Sequence, residues 1–90
     1  ILINKKFLSK KNRFLNYLSK NGIETRPIIS GNFVNQKSIK LYNLNPDKAK
    51  FKGAQEIEDR GFFIGIHIDL ISDKKLLFIR DKLLKINEIW

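Results

Sequence analysis

Apolar side chains recur at every second position in residues 62–68, and this is the period of a β-strand. Four of them share one face of that strand: Phe62, Ile64, Ile66 and Ile68. The opposite face is also largely apolar, since it carries Phe63 and Gly65 beside His67. We therefore expect a central strand that is covered on both sides or lies partly at an interface.

A second, shorter alternation begins directly after Gly22, a residue suited to ending a helix. Residues 23–28 alternate as a strand does, and Pro27 must end that strand or place it at an edge because proline lacks a backbone donor. The polar loop 30–32 then leaves the strand end. A third strand is expected over residues 1–4.

Helical spacing of three and four residues marks three further segments. The sequence predicts helices from Ser9 to Asn21, from Asp47 or Phe51 to Arg60, and from Ser72 onward, with Ser9 and Ser72 as N-caps. Asn45 with Pro46 could also start the middle helix. Residues 34–42 fit either a short helical turn or an irregular packed loop. The expected buried stripes are Phe14, Leu15 and Leu18; Phe51, Ala54 and Ile57; and Leu76, Ile79, Leu83 and Ile86.

The resulting order is strand, helix, strand, loop, helix, strand, helix. This order predicts an α+β fold in which a small sheet of about three strands packs against helices. Ninety residues allow one domain.

The amino-acid composition excludes several kinds of metal and disulfide site. The chain has no cysteine and one histidine, which excludes disulfides, thiolate metal centres and two-histidine metal sites within these residues. No apolar run approaches the roughly 20 residues that cross a bilayer. The formal charge is +9, which suits a phosphate-binding face on nucleic acid or an acidic membrane. We favour the alternative, lysines on solvated helix faces, and expect neither a nucleic-acid nor a membrane partner.

Arg26 is the best isolated candidate for a binding residue, because its planar guanidinium suits a carboxylate or phosphate at a strand end. An ion pair with Glu24 or with a helix carboxylate is an equally good interpretation. His67 lies opposite the isoleucine face, where one histidine is more often a packed residue than a catalyst. The residues alone therefore describe an α+β domain without a complete active site.

Two blocks of the chain together resemble one known family. Residues 18–33 read LSKNGIETRPIISGNF, and residues 57–67 read IEDRGFFIGIH. These blocks resemble the C-terminal small domain of the DegT/StrS family of pyridoxal-phosphate sugar aminotransferases. Within that family they are most similar to the nucleotide-hexose 3-dehydratase branch of lipopolysaccharide deoxysugar synthesis.

The resemblance implies that residues 1–90 are the C-terminal small domain of an enzyme with the aspartate-aminotransferase fold. That enzyme is expected to be a cytoplasmic homodimer that removes the C-3 hydroxyl of a nucleotide-linked 4-keto-6-deoxyhexose. Pyridoxal or pyridoxamine phosphate is expected on a large upstream domain, so the 90 residues alone are expected to be inactive and to bind no cofactor.

Carried over to this chain, the resemblance places Arg26, Asn32 and His67 at the border of the sugar or cofactor cleft. None of the three is expected to transfer a proton, and no metal ligand is expected. The chain departs from the dehydratase pattern at Ile66, where asparagine is expected, so a sugar aminotransferase of the same family is an alternative. From a different class, a basic nucleic-acid-binding module or an interaction domain without a ligand also stays open.

Overall fold

The computed structural model describes residues 1–88, and Ile89 and Trp90 lie outside them. The fold is α+β. Its α-helices are Lys11–Lys20 (α1), Lys37–Leu41 (α2), Lys52–Arg60 (α3) and Asp73–Leu84 (α4), and its strands are Thr25–Arg26 (β1) and Phe63–Ile64 (β2). Short 3-10 helices cover Lys5–Lys10, Phe33–Asn35, Lys48–Phe51 and Lys85–Asn87.

The sheet of the described residues has two antiparallel strands, not the three that we predicted. Thr25 pairs with Ile64, and Arg26 pairs with Phe63. The expected first strand is reduced to an isolated antiparallel bridge between Leu2 and Gly61. It is held by hydrogen bonds such as the one from the Phe62 amide to the Ile1 carbonyl, 2.9 Å long.

The strand predicted over residues 62–68 forms only at Phe63–Ile64. In the observed register, its partner strand can extend only between Gly22, whose φ is +78°, and Pro27, which has no amide hydrogen. Ile66 and Ile68 are consequently 85% and 104% exposed. The first alternative, a strand covered on both sides within the chain, is therefore wrong, and the interface alternative stays a prediction.

Helix starts are set by side chains that differ in part from those predicted. Asn4, not Ser9, caps the first helical segment, and its Oδ1 accepts a hydrogen bond from the Lys6 amide at 3.1 Å. Asp47 caps the 3-10 helix that leads into α3, with its Oδ1 accepting from the Ala49 amide at 3.0 Å. Ser72 caps α4 as predicted.

Residues 34–42 contain a 3-10 turn and the short helix α2, which confirms the helical alternative for this segment. Gly22 ends α1 in the left-handed conformation that we expected. Gly61 ends α3 in extended backbone instead, with φ at −83°.

The core joins α1 to the strands and the first residues. Phe14 and Phe62 meet edge to face, with ring centroids 6.4 Å apart. The buried cluster is Ile3, Phe14, Leu18, Ile23 and Phe62. Three partly buried residues from the C-terminal end of the chain pack against it: Ile79 and Leu83 of α4, and Ile86 of the 3-10 helix that follows α4. The predicted stripe is therefore largely confirmed, apart from Leu76, which is 49% exposed.

The predicted stripe of α3 is not buried. Phe51 and Ile57 stay 40% and 48% exposed, because α3 meets the rest of the chain through polar side chains. The radius of gyration is 16.2 Å, whereas a compact domain of this length has about 12 Å. The described residues are therefore loosely assembled around a small core.

Candidate functional site

A cavity of about 680 Å³ opens where the two strands face α4. We call it the strand–helix cavity. Two of the three predicted site residues, Arg26 and His67, line it. The other lining residues are Gly22, Ile23, Glu24, Ile64, Gly65, Ile66, Ile71, Lys75, Phe78 and Ile79.

Arg26 reaches the cavity from β1, and its guanidinium is bound to a neighbour two residues away. Its Nε and Nη2 donate to Oε1 of Glu24 at 3.0 and 2.7 Å. The ion-pair interpretation of Arg26 is therefore confirmed. Both side chains are 74% exposed, so water screens the pair and a stronger anion could compete for the guanidinium.

His67 reaches the cavity from the segment that follows β2, where the chain has left the sheet. It is exposed, and no hydrogen bond or ion pair joins it to another residue of the described part of the chain. Its imidazole is thus available to donate to or accept from a ligand.

Lys75 is a cavity residue that the sequence analysis missed. The Ser72 cap places Lys75 in the first turn of α4, and its backbone amide donates to Ser72 Oγ at 3.3 Å. Phe78 and Ile79, one turn further, supply an apolar floor. The Ser72 cap was a signal for the position of Lys75 on its helix, but not for where α4 packs.

Asn32 is not brought together with the other two predicted residues. It is 3% exposed, and its Oδ1 accepts from the Val34 amide at 3.3 Å while its Nδ2 donates to Gln55 Oε1 at 3.2 Å. The first bond caps the 3-10 helix Phe33–Asn35, and the second fastens the loop to α3. Asn32 thus has an architectural role in this fold and lies away from the strand–helix cavity.

Glu58 completes the attachment of that loop to α3. Its Oε1 accepts from the backbone amide of Asn32 at 3.1 Å, and its Oε2 accepts from Gln55 Nε2 at 2.8 Å. The bond from the Asn32 amide, and then that from Gln55, hold the pKa of Glu58 below its usual 4.5. The carboxylate is therefore charged at neutral pH and committed to the loop.

A second cavity, of about 600 Å³, lies on the far side of that loop, beside α2 and the start of α3. We call it the apolar groove. Its lining residues are Gly31, Asn32, Phe33, Val34, Ile39, Leu44, Asn45, Pro46, Phe51 and Ala54.

The residues of the strand–helix cavity suit the phosphate group and the pyridine ring of pyridoxal phosphate to different degrees. Arg26, His67 and Lys75 all line the cavity, and cationic and hydrogen-bonding side chains of this kind bind a phosphate group. The carboxylate among the described lining residues is Glu24, and it is bound to Arg26 rather than free for a pyridine nitrogen. The cavity thus suits a phosphate better than the pyridine ring.

Residues 1–88 contain no group of three or more histidine, cysteine or acidic side chains placed to hold a metal ion. None of their helices combines the length and the apolar character needed to cross a membrane.

Comparisons with protein-family models, with curated proteins and with solved structures find no match to this chain.

Proposed function

We propose that this chain is the C-terminal small domain of a pyridoxal-phosphate-dependent nucleotide-sugar enzyme, and that it forms one wall of the substrate cleft. The observation that supports this best is the shared cavity of Arg26 and His67. Arg26 comes from the end of β1 and His67 from the segment after β2, and both are residues that the motif resemblance assigns to the cleft.

Exposed apolar surface beside the cavity supports the idea of a wall that another domain completes. The residues after β2 include Ile68 and Leu70, each 104% exposed, and α4 carries Leu76, Leu77 and Phe78 at 46–49% exposure. Several large exposed apolar side chains on adjoining segments favour an interaction site.

The proposed reaction is removal of the C-3 hydroxyl from a nucleotide-linked 4-keto-6-deoxyhexose, in deoxysugar synthesis for lipopolysaccharide O-antigen. Arg26 and Lys75 would bind the diphosphate of the substrate, and His67 would hydrogen-bond to the sugar. The cofactor, held by the upstream domain in a cytoplasmic homodimer, supplies the electron sink. No residue of this chain is assigned a proton transfer.

The binding step can be tested on the chain itself. Titration of ¹⁵N-labelled protein with a nucleotide hexose such as CDP-glucose should shift amide resonances of residues 64–67 and 75, and Arg26→Ala should weaken binding by about tenfold. The matched control is Arg80→Ala, since Arg80 also pairs with a neighbouring carboxylate, Asp81, at an exposed site. Equal loss in both variants, or no shifts near the cavity, would refute a substrate site here.

The chemistry can be tested from the gene. A large α/β domain encoded upstream of Ile1, with histidine at the cofactor position, supports the dehydratase. Lysine at that position favours the aminotransferase of the same family. If no such domain is encoded, the family assignment is wrong.

A further inference from the structure

The apolar groove is a second concave site, and the proposed function does not use it. Several of its wall residues stay open to solvent: Phe33 is 61% exposed, Leu44 54% and Phe51 40%. Its floor contains Val34 and Ile39, which are 7% and 8% exposed. The groove thus has a packed apolar base and open apolar edges.

Lysines flank the lining residues of this groove along the chain. Five lysines lie within two residues of a lining residue, and all of them are exposed: Lys37, Lys40, Lys48, Lys50 and Lys52. None of the five has an ion pair or a side-chain hydrogen bond within residues 1–88. Elsewhere Lys5 pairs with Glu56 and Lys85 with Glu88.

The acidic residues near the groove do not offset that charge. Asp47 and Glu56 also lie within two residues of a lining residue, and Glu58 accepts from the amide of the lining residue Asn32. Asp47 Oδ1 is bound to the Ala49 amide as a helix cap, and Glu56 pairs with Lys5 and Arg60. The five lysines therefore outnumber the nearby acids, and each of these carboxylates already has a partner.

We propose that the apolar groove binds an acidic peptide segment, which inserts one aromatic or aliphatic side chain between Phe33 and Phe51 and pairs its carboxylates with the surrounding lysines. The charge complements such a peptide, and a pocket of this size accepts a single anchoring side chain. The proposal is independent of the strand–helix cavity and of the proposed enzyme.

Two other anionic partners fit the groove less well. A membrane surface favours a helix with a broad apolar face, whereas here the apolar residues form a concavity. Single-stranded nucleic acid binds by stacking bases on exposed aromatic rings, but only two of the ten lining residues are aromatic, and Val34, Ile39 and Leu44 are aliphatic.

The test uses a fluorescein-labelled peptide of sequence EDEFDELDE and the full 90-residue chain, with binding followed by fluorescence anisotropy at low salt. Replacing the phenylalanine and leucine of the peptide by serine should weaken binding by about tenfold, because the charge is kept and the anchors are lost. Equal binding of the two peptides would overturn the proposal, since it would leave only non-specific attraction.

Protein variants locate the site. Lys50→Glu with Lys52→Glu should lower the affinity by about tenfold. Lys20→Glu with Lys74→Glu makes the same charge change at exposed positions that do not neighbour a lining residue of the groove, and it should have a much smaller effect. Ala54→Leu, which fills the groove without changing charge, should reduce the preference for the anchored peptide. Thermal melts confirm that each variant is folded.

Two outcomes would assign the groove to another partner and overturn the peptide proposal. One is tighter binding of oligo-dT than of the anchored peptide. The other is binding to phosphatidylserine vesicles that Lys50→Glu with Lys52→Glu abolishes while peptide binding is unchanged. Equal loss of peptide binding in the two double charge-reversal variants would also overturn it.

Discussion

Two glycines with similar backbone conformations should respond very differently to alanine. Gly22 and Gly31 both have positive φ, at +78° and +55°. A methyl group on Gly22 would meet nothing within 4 Å, whereas on Gly31 it would lie 2.3 Å from Oε1 of Glu58. Gly22→Ala thus measures the backbone cost alone, and Gly31→Ala adds displacement of a carboxylate.

The magnitudes follow from these surroundings. Left-handed backbone costs a residue with a Cβ about 1 kcal/mol, which is the expected loss of unfolding free energy for Gly22→Ala. In Gly31→Ala the Glu58 carboxylate must move away, and the Asn32 amide then loses its acceptor. Because Asn32 is 3% exposed, this unsatisfied donor adds about 1–3 kcal/mol. We expect about 2–4 kcal/mol in total for Gly31→Ala.

Urea unfolding followed by circular dichroism measures both losses, and in thermal melts each kcal/mol lowers Tm by about 4–8 °C. Glu58→Ala supplies the decisive control, because it removes the obstructing carboxylate. In that background, Gly31→Ala should cost no more than Gly22→Ala. If the two glycine variants lose equal stability in the natural sequence, or if Glu58→Ala leaves the cost of Gly31→Ala unchanged, the close approach to Glu58 has no energetic consequence.

Three further outcomes are expected. Glu56 and Glu58 have folded pKa values below 4.5, so the stabilisation from each carboxylate is present above that pH and is lost as pH falls through its folded pKa. Added NaCl should weaken the contribution of Glu56, which depends on Arg60 and Lys5, more than that of Glu58. Urea melts of Glu56→Gln and Glu58→Gln at a series of pH values would show both effects. Sedimentation velocity should show self-association of the chain through its exposed apolar face, and Ile68→Lys should reduce it. Ile29→Lys is the control, because Ile29 is also exposed, at 89%, and it should have a smaller effect. A strict monomer at high concentration contradicts the prediction. Phe62→Ala, at a side chain with no exposed surface, should cost about 3–5 kcal/mol and leave the chain largely unfolded by circular dichroism.

The sequence predicted the ends of helices and strands where these depend on neighbouring residues alone. Gly22 ends a helix, Pro27 ends a strand and Ser72 begins a helix, because each effect requires only a few neighbouring backbone groups. The apolar spacing of Phe14 and Leu18 likewise identified the core face of α1, since one helix face must be buried whatever covers it.

Features that depend on distant partners were not predicted. The family resemblance placed Asn32 at the border of the cleft, but in the structure Gln55 and Glu58 on α3 bind it. Lys75 had no motif to identify it, since its place at the cavity depends on where α4 packs. Spacing within one segment shows which face is apolar, but not what will cover that face.

The early end of β2 connects the sheet to the candidate site. Thr25 opposite Ile64 fixes the register, which would bring Pro27 opposite Phe62 and Glu24 opposite Gly65. Proline cannot donate at the first of these positions, and just beyond the second the partner chain turns away at Gly22. The chain after Ile64 is therefore released from the sheet, and His67 becomes part of the cavity that α4 and Arg26 also line. A longer β2 would hold that segment in the sheet, so the short ladder is what gives the strand–helix cavity its histidine.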